Sequence, residues 1–266
     1  MSQIHDIIQG MEPVSLEEMD DVKLMNRIDS KFPLSMSSLD MIAPLWMKHY
    51  LVQEIQDRRI ATYRSLYFDT PDALTYTLHH NRHLSRQKIR HRIYVDTNIA
   101  FCEVKNKKNN GRTKKKRIQI PLESWGKLYD FPDAVRFLND KVWVTDQELF
   151  PRLENRFERI TLVNKDKSER ITIDFNISFH NHVSNCDATA DNLAIIEVKQ
   201  NGSVHSRFKE IMRDARIKQK GLSKYCFGML LTDPSVKYNR FKSKMHYINK
   251  LTDNNFEIKS VINDTK

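Results

Sequence analysis

Glycine is scarce, six residues in 266, which leaves little material for the glycine-rich phosphate loops of nucleotide-binding folds. Neither a GxxxxGK(S/T) nor a GxGxxG pattern occurs. Cysteine is scarcer still. Cys102, Cys186 and Cys226 are odd in number and far apart, so they read as reduced thiols of a cytoplasmic protein rather than as a disulfide framework or a zinc site. No run approaches the roughly 18 apolar residues that a membrane span needs, and Met1 to Pro13 lacks the basic-then-apolar order of a secretory signal. A cytoplasmic protein with no transmembrane segment is the expectation.

Positive charge is plentiful. Lys and Arg number 44 against 34 Asp and Glu, a net +10, which favours an anionic partner: a phosphate compound, nucleic acid or an acidic membrane surface. At 39% hydrophobic and 29% charged residues the chain is globular, and its length suits one core. A single domain over 1–251 and a flexible tail over 252–266 are expected.

Periodicity predicts a short helix around Leu16 to Met25, a strand over Asn26 to Pro33, and a helix from Met36 to Tyr50, capped by Ser35 and bent at Pro44. From Ile60 the period becomes two. Strands are predicted over Arg64–Asp69, Arg86–Val95, Phe101–Lys107, Lys115–Pro121, Leu153–Leu162, Arg170–Phe179 and Ala194–Lys199. With the first strand these make eight, enough to close an antiparallel β-barrel. Lys108 to Thr113 carries a hairpin signal, and Leu122 to Asp146 reads as helical or irregular. Helices follow over Val204 to Ile217, Ser223 to Leu231 and Pro234 to Leu251, giving an α+β fold with flanking helices.

Alternate residues along these strands repeat one theme. Arg86, Lys88, Arg90, Arg92 and Tyr94 share a face opposite Ile89, His91 and Ile93. Glu103, Lys105 and Lys107 oppose Cys102 and Val104; Arg170, Thr172, Asp174 and Asn176 oppose an apolar row; Glu197 pairs with Lys199. Arg117, Arg159 and the trio Arg27, Asp29 and Lys31 follow the same rule. One such strand alone is an ordinary half-buried strand with a solvated face. Repetition across seven strands argues that the charged faces converge. Two cations about 8 Å apart at an effective dielectric of about 20 repel by about 2 kcal/mol, so a lumen lined by many of them calls for a multivalent anion. Glu103 and Glu197, carboxylates among cations, are candidate ligands for Mn²⁺ or Mg²⁺ bridging to phosphate oxygens.

The blocks Arg27-Ile-Asp-Ser-Lys31, Ser65-Leu-Tyr-Phe-Asp-Thr70, Arg86-x-Lys-x-Arg-x-Arg92-x-Tyr94, Glu103-Val-Lys105, Phe157-Glu-Arg159, Arg170-Ile-Thr-Ile-Asp174, Glu197-Val-Lys199 and Ser223-Lys-Tyr225 occur in this order. As an ordered set, from Arg27 to about Gly228, they resemble the polyphosphate polymerase domain of the VTC family, within the triphosphate tunnel (CYTH-like) superfamily. That resemblance implies an eight-stranded tunnel in which Lys31, Arg90, Arg92, Lys105, Arg159, Arg170, Lys199 and Lys224 grip phosphates. It also implies that Glu197 holds a divalent metal and Ser223 adds a hydroxyl contact. The implied activity is transfer of the terminal phosphate of ATP to polyphosphate, with triphosphate hydrolysis or simple polyphosphate binding as alternatives. The resemblance departs at Phe157, where the family usually has tyrosine.

Arg90, Arg92, Arg159, Lys199 and Glu197 are therefore the expected catalytic set. Lys31, Arg86, Lys88, Lys105, Lys107, Arg117, Arg170, Ser223 and Lys224 are the expected phosphate contacts. ATP and polyphosphate are the expected partners, and no specific nucleic acid is. Lys114 to Arg117 reads as an entrance rim for the polymer, and Lys237 to Lys244 as the basic side of an amphipathic helix. His79 and His83, at i and i+4, lack a third ligand and read as exposed histidines rather than a metal pair.

Overall fold

The computed structural model describes residues 3–20, 27–110, 112–202, 205–253 and 256. In chain order it contains α1 (Gln3–Gln9), β1 (Pro13–Val14), α2 (Leu16–Asp20), β2 (Arg27–Ser35), α3 (Met36–Trp46), β3 (Tyr50–Gln53), β4 (Ala61–Asp69), α4 (Leu74–His80), β5 (Arg86–Tyr94), β6 (Ile99–Lys107) and β7 (Thr113–Ile120). There follow α5 (Pro132–Lys141), β8 (Phe150–Asn164), β9 (Glu169–Asn181), β10 (Cys186–Ala190), β11 (Leu193–Asn201), α6 (Arg207–Asp214), α7 (Lys224–Thr232) and α8 (Lys242–Thr252). The expected tail lies mostly outside the described residues, as does the second half of the helix expected over Leu16 to Met25.

Eight strands form one antiparallel path, β2-β11-β9-β8-β4-β5-β6-β7, and β1, β3 and β10 are additions at its margins. Closure is the correction. Among the described residues no hydrogen bonds join β2 to β7, so the sheet is open where a closed barrel was expected. It is nonetheless curled. The charges of Lys31 on β2 and Glu197 on β11 both act on Lys105 of β6, at the far end of the path.

Outward-facing alternate residues make two cores. Phe32, Leu34, Ile171, Ile173, Ile196 and Val198 pack under α1, α3 and α6. Ile89, Cys102, Val104 and Ile120 pack under α5. Ser35 caps α3 as expected, its hydroxyl accepting from the Ser38 N–H at 3.1 Å. The helix stops at Trp46, soon after Pro44, and Tyr50 opens a strand instead of ending the helix.

The third core lies on the inner face. Leu153, Phe157, Ile177, Phe179, Leu193 and Ile195 pack against α7 and α8. Gly228 permits the close approach of α7: a methyl there would come within 2.6 Å of Leu153 Cδ2 and closer still to Phe179. Asp69 ties this end together. Its carboxylate accepts from the N–H groups of Thr70, Thr75 and Tyr76 and from the hydroxyls of Thr75 and Tyr225, fastening α4 and α7 to β4.

A β-bulge divides the inner face. The register between β8 and β9 shifts after Arg156, and Asn176 adopts a left-handed φ of 49°. Before the bulge Thr172 and Asp174 face inward; after it Ile177 and Phe179 do. Asn176, expected on the polar inner face, is turned out to solvent and donates to Glu158 Oε2 at 2.8 Å.

Candidate phosphate-binding channel

The charged half of the inner face is built from β2, β5, β6, β7, β8, β9, β11 and the start of α7. Asp174, 3% exposed, receives Arg159 through two hydrogen bonds, Nε to Oδ1 at 2.5 Å and Nη2 to Oδ2 at 2.8 Å, and also pairs with Lys224. Burial would raise its pKa, but the two cations outweigh that and hold the carboxyl well below its usual range. Lys224 is pushed down to about 8, because burial takes more from the ammonium than Asp174 returns.

A second knot centres on Glu103, 1% exposed. Arg90 reaches its Oε2 through Nε at 2.7 Å and Nη2 at 2.5 Å, and Lys115 reaches its Oε1 at 2.9 Å. Arg90 also donates to the Tyr67 hydroxyl at 3.1 Å. Burial pushes that phenol up, yet the charges of Arg90, Arg92 and Lys88 together hold it at about 7.

Glu197 is the third carboxylate. Lys199 stands 3.1 Å from its Oε2, and the charges of Lys31, Lys105 and Arg159 also act on it, holding its pKa well down against burial. Lys199 in turn is lowered to about 8 by burial, with Arg159 and Arg170 adding repulsion.

Other cations have no carboxylate within ion-pair distance among the described residues. Arg92, 8% exposed, donates to Ser65 Oγ at 3.1 Å and lies over Tyr63 and Phe157 at 5.6 and 5.9 Å. Lys88 donates to Ser223 Oγ at 2.6 Å and lies 5.6 Å over Tyr225. Lys31 donates to the Leu222 carbonyl at 3.2 Å. Lys105 is wetted although protein surrounds it, as a side chain projecting into a channel is; that surrounding protein and Lys31 lower it to about 8.

The expected residues separate by position. Lys31, Lys88, Arg90, Arg92, Lys105, Arg159, Glu197, Lys199, Ser223 and Lys224 are linked by the contacts and charge couplings above. Arg170 sits in register with Lys199 and repels it. Arg86 and Lys107, paired in register, stand at one rim, where Arg86 donates to the His83 carbonyl at 2.5 Å. Arg117 is exposed elsewhere on the margin, 4.3 Å over Phe101 and 3.3 Å from the Tyr94 hydroxyl.

Lys115, read from the sequence only as part of an entrance rim with Lys114, Lys116 and Arg117, instead pairs with Glu103, a contact that the sequence reading missed. That reading also missed the aromatic floor. Lys224 and Arg159 lie 4.2 and 5.3 Å over Phe157, Arg159 lies 4.9 Å over Tyr63, and these two rings stack in parallel at 5.3 Å. Phe157 thus serves as a face for cations. His79 corrects the expectation of an exposed histidine: its Nδ1 is buried without a partner. No cluster of three or more His, Cys, Asp or Glu side chains capable of holding a metal occurs among the described residues.

No curated protein matches the chain. Among solved structures, a Hippeastrum protein described as an adenylyl cyclase with a dominant triphosphatase activity is 15% identical, with a TM-score of 0.46 over 75% of this chain and 93% of its own. A Vibrio parahaemolyticus protein described as an adenylate cyclase is 11% identical, with a TM-score of 0.44 over 76% and 96%. The S. pombe RNA triphosphatase Pct1 is 7% identical, with a TM-score of 0.29 over 74% and 77%. The VTC domain model matches residues 26–232, which span every strand of the main path and the channel residues from Lys31 to Lys224. With that match and this ordered set of inward-facing residues, the chain belongs to the VTC domain family.

Proposed function

We propose that the protein is a metal-dependent polyphosphate polymerase that transfers the terminal phosphate of ATP to a growing polyphosphate chain. One observation carries this reading: Lys31, Lys88, Arg92 and Lys105 converge on one channel with no carboxylate within ion-pair distance of them among the described residues. Their charge is the complement of a chain of phosphates.

Phosphoryl transfer needs positioning and charge neutralisation more than a protein nucleophile. Asp174 orients Arg159 and Glu103 orients Arg90, so both guanidiniums are preorganised, which is where electrostatic stabilisation is most effective. Lys31, Lys88, Lys105 and Arg92 bind the extended triphosphate. The acceptor is a phosphate oxygen already ionised at neutral pH, so no general base is required.

Glu197 fits Mn²⁺ or Mg²⁺, because such ions take one or two carboxylates and complete their shells with phosphate oxygens and water. Glu103 does not fit, since guanidinium and ammonium groups occupy both its oxygens. When bound, the metal neutralises charge on the bridging and leaving oxygens.

Purified protein incubated with ATP and Mn²⁺, with products separated on a gel, tests the proposal. Long phosphate polymers, lost in Glu197→Gln, are the expected result. Free phosphate without polymer would make the protein a triphosphatase. Salt-sensitive polyphosphate binding without turnover would make it a binder only.

A further inference from the structure

Five tyrosines are buried, and four of them have a hydrogen bond at the hydroxyl, as a buried phenol ordinarily does. Tyr50 donates to Glu169, Tyr76 to the Lys237 carbonyl at 2.6 Å and Tyr225 to Asp69, while Tyr67 accepts from Arg90 at 3.1 Å. Tyr63, 7% exposed, is the exception: its hydroxyl forms no hydrogen bond among the described residues. That oxygen is not sealed in. Buried side-chain oxygens without a partner occur at Asn155, Glu169, Gln200 and Asn249, and the Tyr63 hydroxyl is not among them. The ring is therefore packed while its oxygen reaches solvent.

The strand decides where that solvent is. In β4, Leu66 and Phe68 point outward into the core beneath α5, so Tyr63, Ser65 and Tyr67 point inward by alternation. Tyr63 is in register with Tyr94 on β5 and with Phe157 on β8, which puts it on the channel wall rather than at an edge of the sheet. Its ring is fixed from two directions, stacking on Phe157 at 5.3 Å with 4° between the planes and meeting Tyr94 edge-on at 5.0 Å.

Two guanidiniums share this ring pair. Arg159 stands 4.9 Å from the Tyr63 centroid and 5.3 Å from that of Phe157, and Arg92 stands 5.6 and 5.9 Å from the same two. Asp174 orients Arg159 and Ser65 orients Arg92, so a phosphate gripped by both lies beside Tyr63. A phenol adds a donor there without adding another positive charge to a crowded set. Burial pushes the Tyr63 pKa up, so the hydroxyl keeps the proton it would donate.

We propose that Tyr63 is a substrate-contacting residue whose hydroxyl donates a hydrogen bond to a phosphoryl oxygen held between Arg92 and Arg159. This rests on the proposed function only for the ligand being a chain of phosphates. The ligand supplies the partner that the protein does not.

Tyr63→Phe is the test, because it removes the oxygen and keeps the ring that stacks on Phe157 and faces both guanidiniums. Calorimetric binding of tripolyphosphate, independent of turnover, is expected to weaken by about tenfold or more, as loss of a hydrogen bond to a charged group requires. The melting temperature of the empty protein stays unchanged, since no bond within the protein is lost. Unchanged affinity would overturn the proposal. So would a loss of affinity accompanied by a lower melting temperature, which would make the hydroxyl a structural group. If the affinity loss is seen but the wild type makes no polymer from ATP, the contact stands and the polymerase reading falls. If the wild type makes polymer and the variant binds tripolyphosphate equally well, the contact falls and that reading stands. If the wild type does not bind tripolyphosphate, both fall.

Discussion

The two halves of the inner face are made by the same strands and behave oppositely. Toward α7, Leu153, Ile177, Phe179, Leu193 and Ile195 are packed to contact, so tightly that Gly228 has no room for a methyl. Toward the Glu197 end, Lys31, Lys88, Arg92 and Lys105 have no carboxylate within ion-pair distance among the described residues, while Arg159 and Arg90 are neutralised and aimed. One half is finished by folding, and under the proposed function the other is completed by an anion. The comparison separates residues that hold the protein from residues proposed to meet a ligand.

The largest expected effect breaks the neutralised side. Asp174→Asn leaves Arg159 and Lys224 without their counter-charge, and removing one partner of a buried pair costs about 3–5 kcal/mol, here at the lower end because both cations keep some solvent. Denaturant unfolding checks it; unchanged stability would show that Asp174 is not the keystone. Arg92→Met should act in the opposite direction. Empty-state stability is unchanged or raised by about 1 kcal/mol, since an unpaired buried charge is gone, while tripolyphosphate binding weakens by about 10–100-fold through loss of a charge-assisted contact. Calorimetry beside a melting curve reads both, and a destabilised variant with normal binding would reverse the assignment.

Gly228→Ala tests the packed half: overpacking against Phe179 and Leu153 should cost about 1–3 kcal/mol with little change in phosphate affinity at temperatures where the variant is folded. The smallest effect is in pH. Lys105 and Lys224 have folded pKa values of about 8, below the ordinary lysine value, so the unfolded chain binds more protons above that pH. Stability of the empty protein should therefore rise between about pH 8 and 10, and tripolyphosphate affinity should fall over the same window as the ammoniums lose their charge. A flat affinity profile from pH 7 to 10 would show that these lysines do not meet the ligand.

Much of the channel was legible because a strand's period is two and the charges kept to it. Arg86, Lys88, Arg90 and Arg92 alternate with Gln87, Ile89 and His91, and the apolar partners lie in the core beneath α5, as the pattern required. Asn176 was misplaced because a bulge adds one residue and changes the phase, and a left-handed asparagine leaves no mark in a polar-apolar count. The short strands β1, β3 and β10 went unread for a different reason: at two to five residues they carry too few alternations. Asp69, in a block that invites a functional reading, is an anchor for α4 and α7, which only its five hydrogen bonds reveal.

By itself the sequence determined the strand faces, the excess of positive charge and the cap at Ser35, because these depend on neighbours a few residues apart. Tertiary structure alone decided which cations are neutralised, which are not, and that β2 and β7 stay unjoined among the described residues. Arg159 and Lys224 are 65 residues apart and meet on one carboxylate, whereas Lys105 and Lys31 repel each other and neither has a carboxylate within ion-pair distance among the described residues. Electrostatics depends on distance through space, and distance through space is set by how the sheet curls.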